Sequence, residues 1–246
     1  MRNLLVTIRF DGRAFHGWQV QQNAPTVMQT FQDALQAVLK DRPDVKGCSR
    51  TDSGVSARMY CVSFKTESTI PCKNLIAALN VNLPKTVAVL DCREVEEDFH
   101  ARYSSKGKHY CYRVLNSRIR DPLLEGFTVH YPYPKDIDAE FLNRQAKSFV
   151  GTHDFKAFQN SGTVMEDTVR TIHSFNVLRS GDMIEFHVCG DGFLYNMVRI
   201  MVGTLIDIAK GSIASDSISD ILASKDRKNA GTTAPAQGLM LEEVFY

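Results

Sequence analysis

A carboxylate in a turn of small residues is the first candidate for chemistry in this sequence. The stretch CSRTDSGVSA, residues 48–57, places Asp52 two positions after Arg50 and directly before a Ser-Gly pair. Three roles are open: an aspartate that shapes a turn, a metal ligand, or a catalytic carboxylate. The metal role is the weakest, because no second acid or histidine lies at ligand spacing. A nearby arginine would favour the ionised form, which acts as a nucleophile or base.

Arg199 is the second candidate, because a guanidinium is unusual in the apolar run FLYNMVRIMVGTLID, residues 193–207. Burying such a charge without a partner costs several kcal/mol. Its head group could extend to solvent. Alternatively, it could point into a cleft and meet Asp52 or a phosphate group.

Aromatic side chains beside basic ones form a third group of candidates. Tyr110, in KHYCYRV (residues 108–114), either covers a sheet or stacks beneath an extruded base. The stretch FHARY, residues 99–103, either binds bases and phosphates or is a strand exit with a packed histidine. Trp18 is the only tryptophan, and an anchor for the first loop is the simpler interpretation of it.

Composition limits the possible functions. The 246 residues carry a net charge of +1, so an RNA site would require a local basic cluster. Residues 102–120 form such a cluster, with several basic side chains and no acid. The six cysteines form no CxxC pair, and no glycine-rich phosphate loop is present. We therefore expect neither a metal nor a nucleotide cofactor.

The sequence also predicts a cytoplasmic protein that does not enter a membrane. The first residues carry charges and do not form a signal peptide. No apolar run reaches the roughly 18 residues of a membrane span.

Hydrophobic periodicity predicts two similar halves. The first has strands at 4–10, 60–64 and 86–95 and helices at 27–39 and 73–83, the former capped by Thr26. The second has strands at 108–115, 168–178, 183–188 and 239–246 and helices at 138–150, 193–209 and 215–224. This order is typical of an α/β fold in which helices cover a sheet. We place the boundary near Lys106, giving halves 1–105 and 106–246.

Taken together, the motifs resemble the TruA-type tRNA pseudouridine synthases over nearly the whole chain. The resemblance runs through FDGRAFHGWQVQ (10–21), CSRTDSGVSA (48–57), ALNVNLP (78–84), DFHARYSSKGKHYCYRV (98–114), GTHDFKAF (151–158), TVRTI (168–172), GDGFLYNMVRIMVGTL (190–205) and DRKNAGTTAPAQGLML (226–241). So many separate motifs in the right order are highly specific, whereas a lone RTD would not be.

This resemblance implies the pseudouridine synthase fold, of α+β type. It implies two ferredoxin-like halves with mainly antiparallel sheets, joined across a basic cleft. It implies an essential Asp52 with its companion Arg50, a base-stacking Tyr110, and an Arg199 that pairs with the aspartate. The candidates for further substrate contacts are Arg102, Phe99, His100, Lys108, Phe193, Asn196 and Trp18.

The implied activity is the isomerisation of uridine to pseudouridine at positions 38, 39 and 40 of the tRNA anticodon stem-loop. The family forms a homodimer and needs no cofactor or metal. The chain departs from the family pattern at Ser56, Asp191 and Glu166, which could mark a sister synthase with a shifted choice of uridine. A tRNA-binding protein that aids folding without catalysis is the alternative from another class.

Overall fold

The computed structural model describes residues 1–133, 136–160 and 167–246. These residues divide into two compact units: unit 1 is Met1–Lys106 with Leu241–Tyr246, and unit 2 is Gly107–Met240. The halves 1–105 and 106–246 stay a prediction. Glu166, one of the departures noted above, lies outside the described residues.

The chain contains strands, α-helices and short 3-10 turns in both units. The strands are β1 Arg2–Phe10, β2 Lys46–Gly47, β3 Ser56–Thr66, β4 Val87–Val95, β5 Gly107–Leu115, β6 Val129–His130, β7 Gly151–Asp154, β8 Val169–Ser180, β9 Met183–Gly190 and β10 Leu239–Phe245. The helices are α1 Val27–Leu39, α2 Cys72–Asn82, α3 Ala139–Ala146, α4 Met197–Ala209 and α5 Ile218–Ser224. The 3-10 turns are Gly12–Ala14, Lys147–Phe149, Lys156–Phe158, Arg227–Asn229 and Ala236–Gly238.

Unit 1 has the ferredoxin-like order of elements. Its strands lie side by side as β4-β1-β3-β2, and every pair is antiparallel. Helix α1 connects β1 to β2 and helix α2 connects β3 to β4, which is the split β-α-β pattern. The rings of Phe31 on α1 and Phe64 on β3 lie 6.4 Å apart, so α1 packs on the face of the sheet that carries Phe64.

Unit 2 repeats this plan with additions. Strands β5, β9, β8 and β7 pair antiparallel in that order, whereas β6 pairs with β5 in parallel. Helix α3 precedes β8 and helix α4 follows β9. Almost every residue of α4 is buried, which explains why its sequence is apolar all round. The predicted α/β class with mainly antiparallel strands is confirmed.

The structure corrects several predicted boundaries. The helix that carries Arg199 begins at Met197 and not at 193, because Asn196 adopts left-handed backbone angles (φ 59°, ψ 8°) that a right-handed helix excludes. The helix predicted at 138–150 is α-helical only to Ala146 and then tightens into a 3-10 turn. The one predicted at 215–224 begins at Ile218. Strands β2, β6 and β7 are too short to show periodicity and were missed.

The N-cap at Thr26 is confirmed, since its side chain accepts a hydrogen bond from the backbone N–H of Gln29. None of the described helices combines the length and the apolar character needed to cross a bilayer.

Candidate active site

Asp52 lies half-buried in a tight turn between β2 and β3 of unit 1. The backbone N–H of Val55 donates to the carbonyl of Asp52 at 3.2 Å, and Gly54 takes a positive φ of 81° to close the turn. Arg50 is exposed just before it. The local geometry is therefore a turn, as the sequence allows, but a turn that leaves the carboxylate only partly covered.

The loop that follows β1 forms hydrogen bonds with this turn and fixes its position. The backbone N–H of Trp18 donates to the carbonyl of Thr51 at 3.1 Å, and the N–H of Gly54 donates to the carbonyl of Phe15 at 3.3 Å. Gly17 has φ +88°, and a Cβ on it would lie 2.6 Å from the Thr51 carbonyl oxygen. Two backbone hydrogen bonds and one close approach thus fix where Asp52 sits within unit 1.

Two buried side chains anchor the same loop. Trp18 is 3% exposed and stacks on Tyr60 with ring centroids 4.4 Å apart, while the Tyr60 hydroxyl donates to the carbonyl of Ser49. Ser56 is 1% exposed and its Oγ accepts a hydrogen bond from the N–H of Gly12 at 3.0 Å. Ser56 therefore joins the first loop to β3. Trp18 acts as the anchor that the sequence suggested, and little of its surface is accessible to a substrate.

The FHARY stretch combines a packed turn with exposed groups. His100 Nδ1 accepts hydrogen bonds from the N–H groups of Arg102 (3.1 Å) and Tyr103 (3.4 Å). Burial, together with the charge of Lys46, lowers the pKa of His100 below its usual range. Arg102 is exposed and its guanidinium lies over the ring of Tyr103, which is 77% exposed. The ring of Phe99 lies 5.0 Å from that of Tyr246.

In unit 2, β5 positions Tyr110. Its side chain is 6% exposed and meets the ring of Phe193 edge to face, with centroids 5.2 Å apart at 85°. Lys108, two residues earlier on the strand, lies opposite Gly190 and is 8% exposed. The structure therefore brings Tyr110 and Phe193 together, although 83 positions separate them in the sequence.

Arg199 lies in the first turn of α4, and its head group is held from two sides. Its Nε donates to the carbonyl of Ala234 at 2.7 Å, and its Nη1 donates to Oδ1 of Asn196 at 2.9 Å. In return, the N–H of Ala234 donates to the carbonyl of Arg199 at 3.1 Å. The left-handed Asn196 thus both starts the helix and orients the guanidinium.

The segment 230–238 is fastened to α4 and β5. The N–H of Gly231 donates to Thr204 Oγ1 at 2.9 Å, and the N–H of Thr232 donates to Asp207 Oδ2 at 2.8 Å. The hydroxyl of Tyr112 on β5 donates to the carbonyl of Pro235 at 2.8 Å. This explains the AGTTAPAQG motif: it supports Arg199 through Ala234.

Asp191 has a structural partner as well. Its Oδ1 accepts from the N–H of Thr171 at 3.0 Å, and its own N–H donates to the carbonyl of Thr171 at 3.0 Å. The carboxylate thereby joins the end of β9 to β8. The sequence marked Asp191 only as a departure from the family pattern. The roles of Gly17 and Ala234 were not predicted, because their backbone positions are set by tertiary packing.

The comparisons with known proteins agree with one another. A family described as tRNA pseudouridine synthase matches residues 6–104 and 145–246. The tRNA pseudouridine synthase A 2 of Clostridium perfringens is 46% identical over 246 residues, which is 100% of both chains. The tRNA pseudouridine synthase A proteins of Acetivibrio thermocellus and of a Thermoanaerobacter species are 45% and 43% identical, again over 100% of both chains.

The chain therefore belongs to the tRNA pseudouridine synthase family. Its activity is the isomerisation of uridine to pseudouridine in tRNA. The predictions of the family, of the isomerase activity and of a tRNA substrate are confirmed.

Proposed function

We propose that the enzyme modifies uridines 38, 39 and 40 of the tRNA anticodon stem-loop and that Asp52 is its essential carboxylate. The three positions follow from the family resemblance, and the observation that carries the role of Asp52 is the fixed turn around it. Asp52 is half-buried, its neighbours Thr51, Ser53 and Gly54 are small, and the first loop fixes its turn, which together would let a flipped nucleotide approach closely.

The reaction is an isomerisation, and its atoms balance without any other reagent. The N1–C1′ glycosidic bond breaks, uracil rotates, and a C5–C1′ bond forms. The proton on C5 leaves and N1 gains a proton. Asp52 acts in this scheme either as a nucleophile towards the sugar or base, or as the base that removes the C2′ proton to give a glycal.

The other site residues have supporting roles in the proposal. Arg199 forms an ion pair with Asp52 and with a phosphate of the substrate. The hydrogen bonds that hold its guanidinium in one orientation support this role. Tyr110 stacks on the target base, backed by Phe193. It either assists the final C5 deprotonation or only holds the base. Arg50 is the companion of Asp52.

Binding of the stem-loop must offset a flipping cost of a few kcal/mol. We propose that exposed Arg102 contacts the RNA directly, whereas His100 and Phe99 hold its turn. Lys108 contacts the substrate close to Tyr110, and Asn196 contacts it close to Arg199. Trp18 acts on the substrate through the Asp52 turn, because its ring stacks on Tyr60 and its backbone N–H donates to the carbonyl of Thr51, beside Asp52.

Two of the departures from the family pattern do not by themselves require a different substrate. Ser56 and Asp191 both bond to backbone groups inside their own units. We therefore favour the specificity of the family over that of a sister synthase.

We also propose a homodimer in which one tRNA touches both subunits, and a cytoplasmic location. The homodimer follows from the family resemblance, and the cytoplasmic location is the one that the sequence predicts.

Site mapping tests the substrate proposal. Unmodified tRNA transcripts with uridine at positions 38, 39 and 40 are incubated with the enzyme and the pseudouridines are located by chemical labelling and primer extension. Matched transcripts carry cytidine at one of the three positions, with its pairing partner changed to preserve the stem. We expect each replacement to remove only its own signal. Pseudouridine at any other position would overturn the substrate proposal while leaving the activity intact.

A further inference from the structure

The face of the unit 2 sheet opposite Tyr110 carries a compact group of side chains with affinity for metals. In the pairing of β5 with β9, Cys111 lies directly across from His187, and Arg113 lies directly across from Glu185. Residues opposite each other in an antiparallel pair, and residues two apart on one strand, share a face of the sheet. The register therefore gathers Cys111, Glu185 and His187 at one point.

The ligand atoms of these three residues lie at suitable distances for one small cation. Cys111 Sγ lies 3.9 Å from His187 Nε2, and His187 Nε2 lies 3.4 Å from Glu185 Oε2. The three potential ligand atoms all fall within 4.8 Å of one another. Ligands bound to Zn²⁺ at about 2.0–2.3 Å in tetrahedral geometry are separated by roughly 3.3–3.8 Å, so only small side-chain adjustments would be needed.

A second layer of side chains orients the group. His109 Nε2 lies 3.1 Å from His187 Nδ1, so a hydrogen bond between the two rings fixes the plane of the His187 imidazole. The Nε2 atom of His187 is then directed at Cys111 and Glu185. Arg113 Nε donates to Glu185 Oε1 at 2.7 Å and leaves Oε2 directed at His187. Metal-binding histidines and carboxylates are commonly oriented by such outer hydrogen bonds.

We propose that Cys111, Glu185 and His187 form a Zn²⁺ site with three protein ligands and one position open to water. A thiolate, an imidazole and a carboxylate together favour Zn²⁺ over Mg²⁺ or Ca²⁺, which prefer oxygen ligands. Cys111 is buried, whereas the Glu185 and His187 side chains are 34% and 26% exposed and give the ion an entry path.

The site is structural and separate from the isomerisation chemistry. It would tie β5 to β9 on one face, while Tyr110 occupies the other face of β5. A bound ion would hold in place the strand that carries Tyr110. Its measurable effects are therefore metal binding and thermal stability, and neither depends on Asp52.

The test is a metal titration of the full-length protein after treatment with a chelator and dialysis. We expect one equivalent of Zn²⁺ to bind by calorimetry and Co²⁺ to give a thiolate-to-metal charge-transfer band. Cys111→Ser should abolish the band and weaken Zn²⁺ binding by at least about 100-fold. Glu185→Gln, which keeps the shape of the side chain, should weaken binding by at least about tenfold. Zn²⁺ should raise the melting temperature of the wild type but not of Cys111→Ser.

Cys189→Ser is the matched control, because Cys189 lies two residues from His187 on β9 and lies outside the three-residue group. It should bind Zn²⁺ like the wild type. Circular dichroism establishes that each variant is folded. The proposal is overturned if the wild type binds no Zn²⁺ in the micromolar range, or if folded Cys111→Ser and Glu185→Gln bind it as tightly as the wild type. Loss of binding in Cys189→Ser alone would also overturn it.

Discussion

Gly17 lies so close to the backbone of Thr51 that a Cβ on it would come within 2.6 Å of the Thr51 carbonyl oxygen. Thr51 directly precedes Asp52, so the backbone of the first loop is in direct contact with the backbone of the proposed catalytic turn. Glycine has no Cβ, so the two backbones can approach this closely. Gly17 also has a positive φ of +88°, an angle that few other residues adopt without strain.

We therefore expect Gly17→Ala to displace the Asp52 turn and to lower kcat by more than about tenfold, since sub-ångström to 1 Å misplacement of a catalytic group is costly. Gly181→Ala is the matched control. Gly181 also has a positive φ, +58°, but its Cβ would meet nothing within 4 Å. Steady-state kinetics on a tRNA transcript measures both variants. Equal rates for Gly17→Ala and Gly181→Ala would show that the contact does not position the site.

Arg199→Lys tests whether the orientation of the guanidinium matters in addition to its charge. Lysine keeps the positive charge but cannot donate at once to Ala234 and Asn196 in the observed directions. We expect kcat to fall by about 10–100-fold with little change in the fold. Arg144→Lys, at an exposed position of α3, should leave kcat unchanged. Full activity of Arg199→Lys would mean that a point charge is sufficient.

The contact between Phe193 and Tyr110 is expected to affect catalytic efficiency. Edge-to-face aromatic pairs contribute about 0.5–1.5 kcal/mol, so Phe193→Ala should lower kcat/KM by roughly 2–13-fold. A double-mutant cycle with Tyr110→Ala isolates the interaction. The effect of Phe193→Ala should largely disappear when Tyr110 is already alanine. If the two effects add, the rings act independently.

The sequence predicted more of the fold than of the site. Strands β1, β5 and β9 and helix α1 show strong periodicity, and the predicted elements match them closely. The start of α4 was missed because a left-handed backbone at Asn196 leaves no periodic signal. The motifs indicated Asp52, Tyr110 and Arg199 through resemblance to the family, and their catalytic roles stay predictions.

Contacts that depend on strand register were not predictable. Cys111 and His187 are separated by 76 positions, and only the pairing of β5 with β9 places them opposite each other. The same holds for the loop that supports Asp52, where the carbonyl of Phe15 meets the N–H of Gly54. Spacing along the chain carries no information on such backbone contacts.

His100 gives a prediction for pH dependence. Burial lowers the pKa of His100, and the neutral Nδ1 accepts two backbone hydrogen bonds that protonation would break. Because the pKa is lowered in the folded state, its contribution to stability is complete above the ordinary histidine pKa and is lost as pH falls through the folded value.

Between about pH 7 and pH 5 we expect the free energy of unfolding to fall more for the wild type than for His100→Gln, which cannot titrate there. Urea denaturation at both pH values measures the difference, and an NMR titration of the His100 ring gives the pKa itself. An identical loss of stability in the two proteins would show that His100 titrates no differently in the folded and unfolded states.

The most direct test of the account is tritium release from tRNA labelled at C5 of uridine, because formation of pseudouridine must release that atom. The wild type is compared with Asp52→Asn, and tRNA binding is measured for both by filter retention. We predict release by the wild type, at least about 1,000-fold slower release by Asp52→Asn, and similar binding by the two proteins. Release by Asp52→Asn at the wild-type rate would contradict the central claim that Asp52 performs the chemistry.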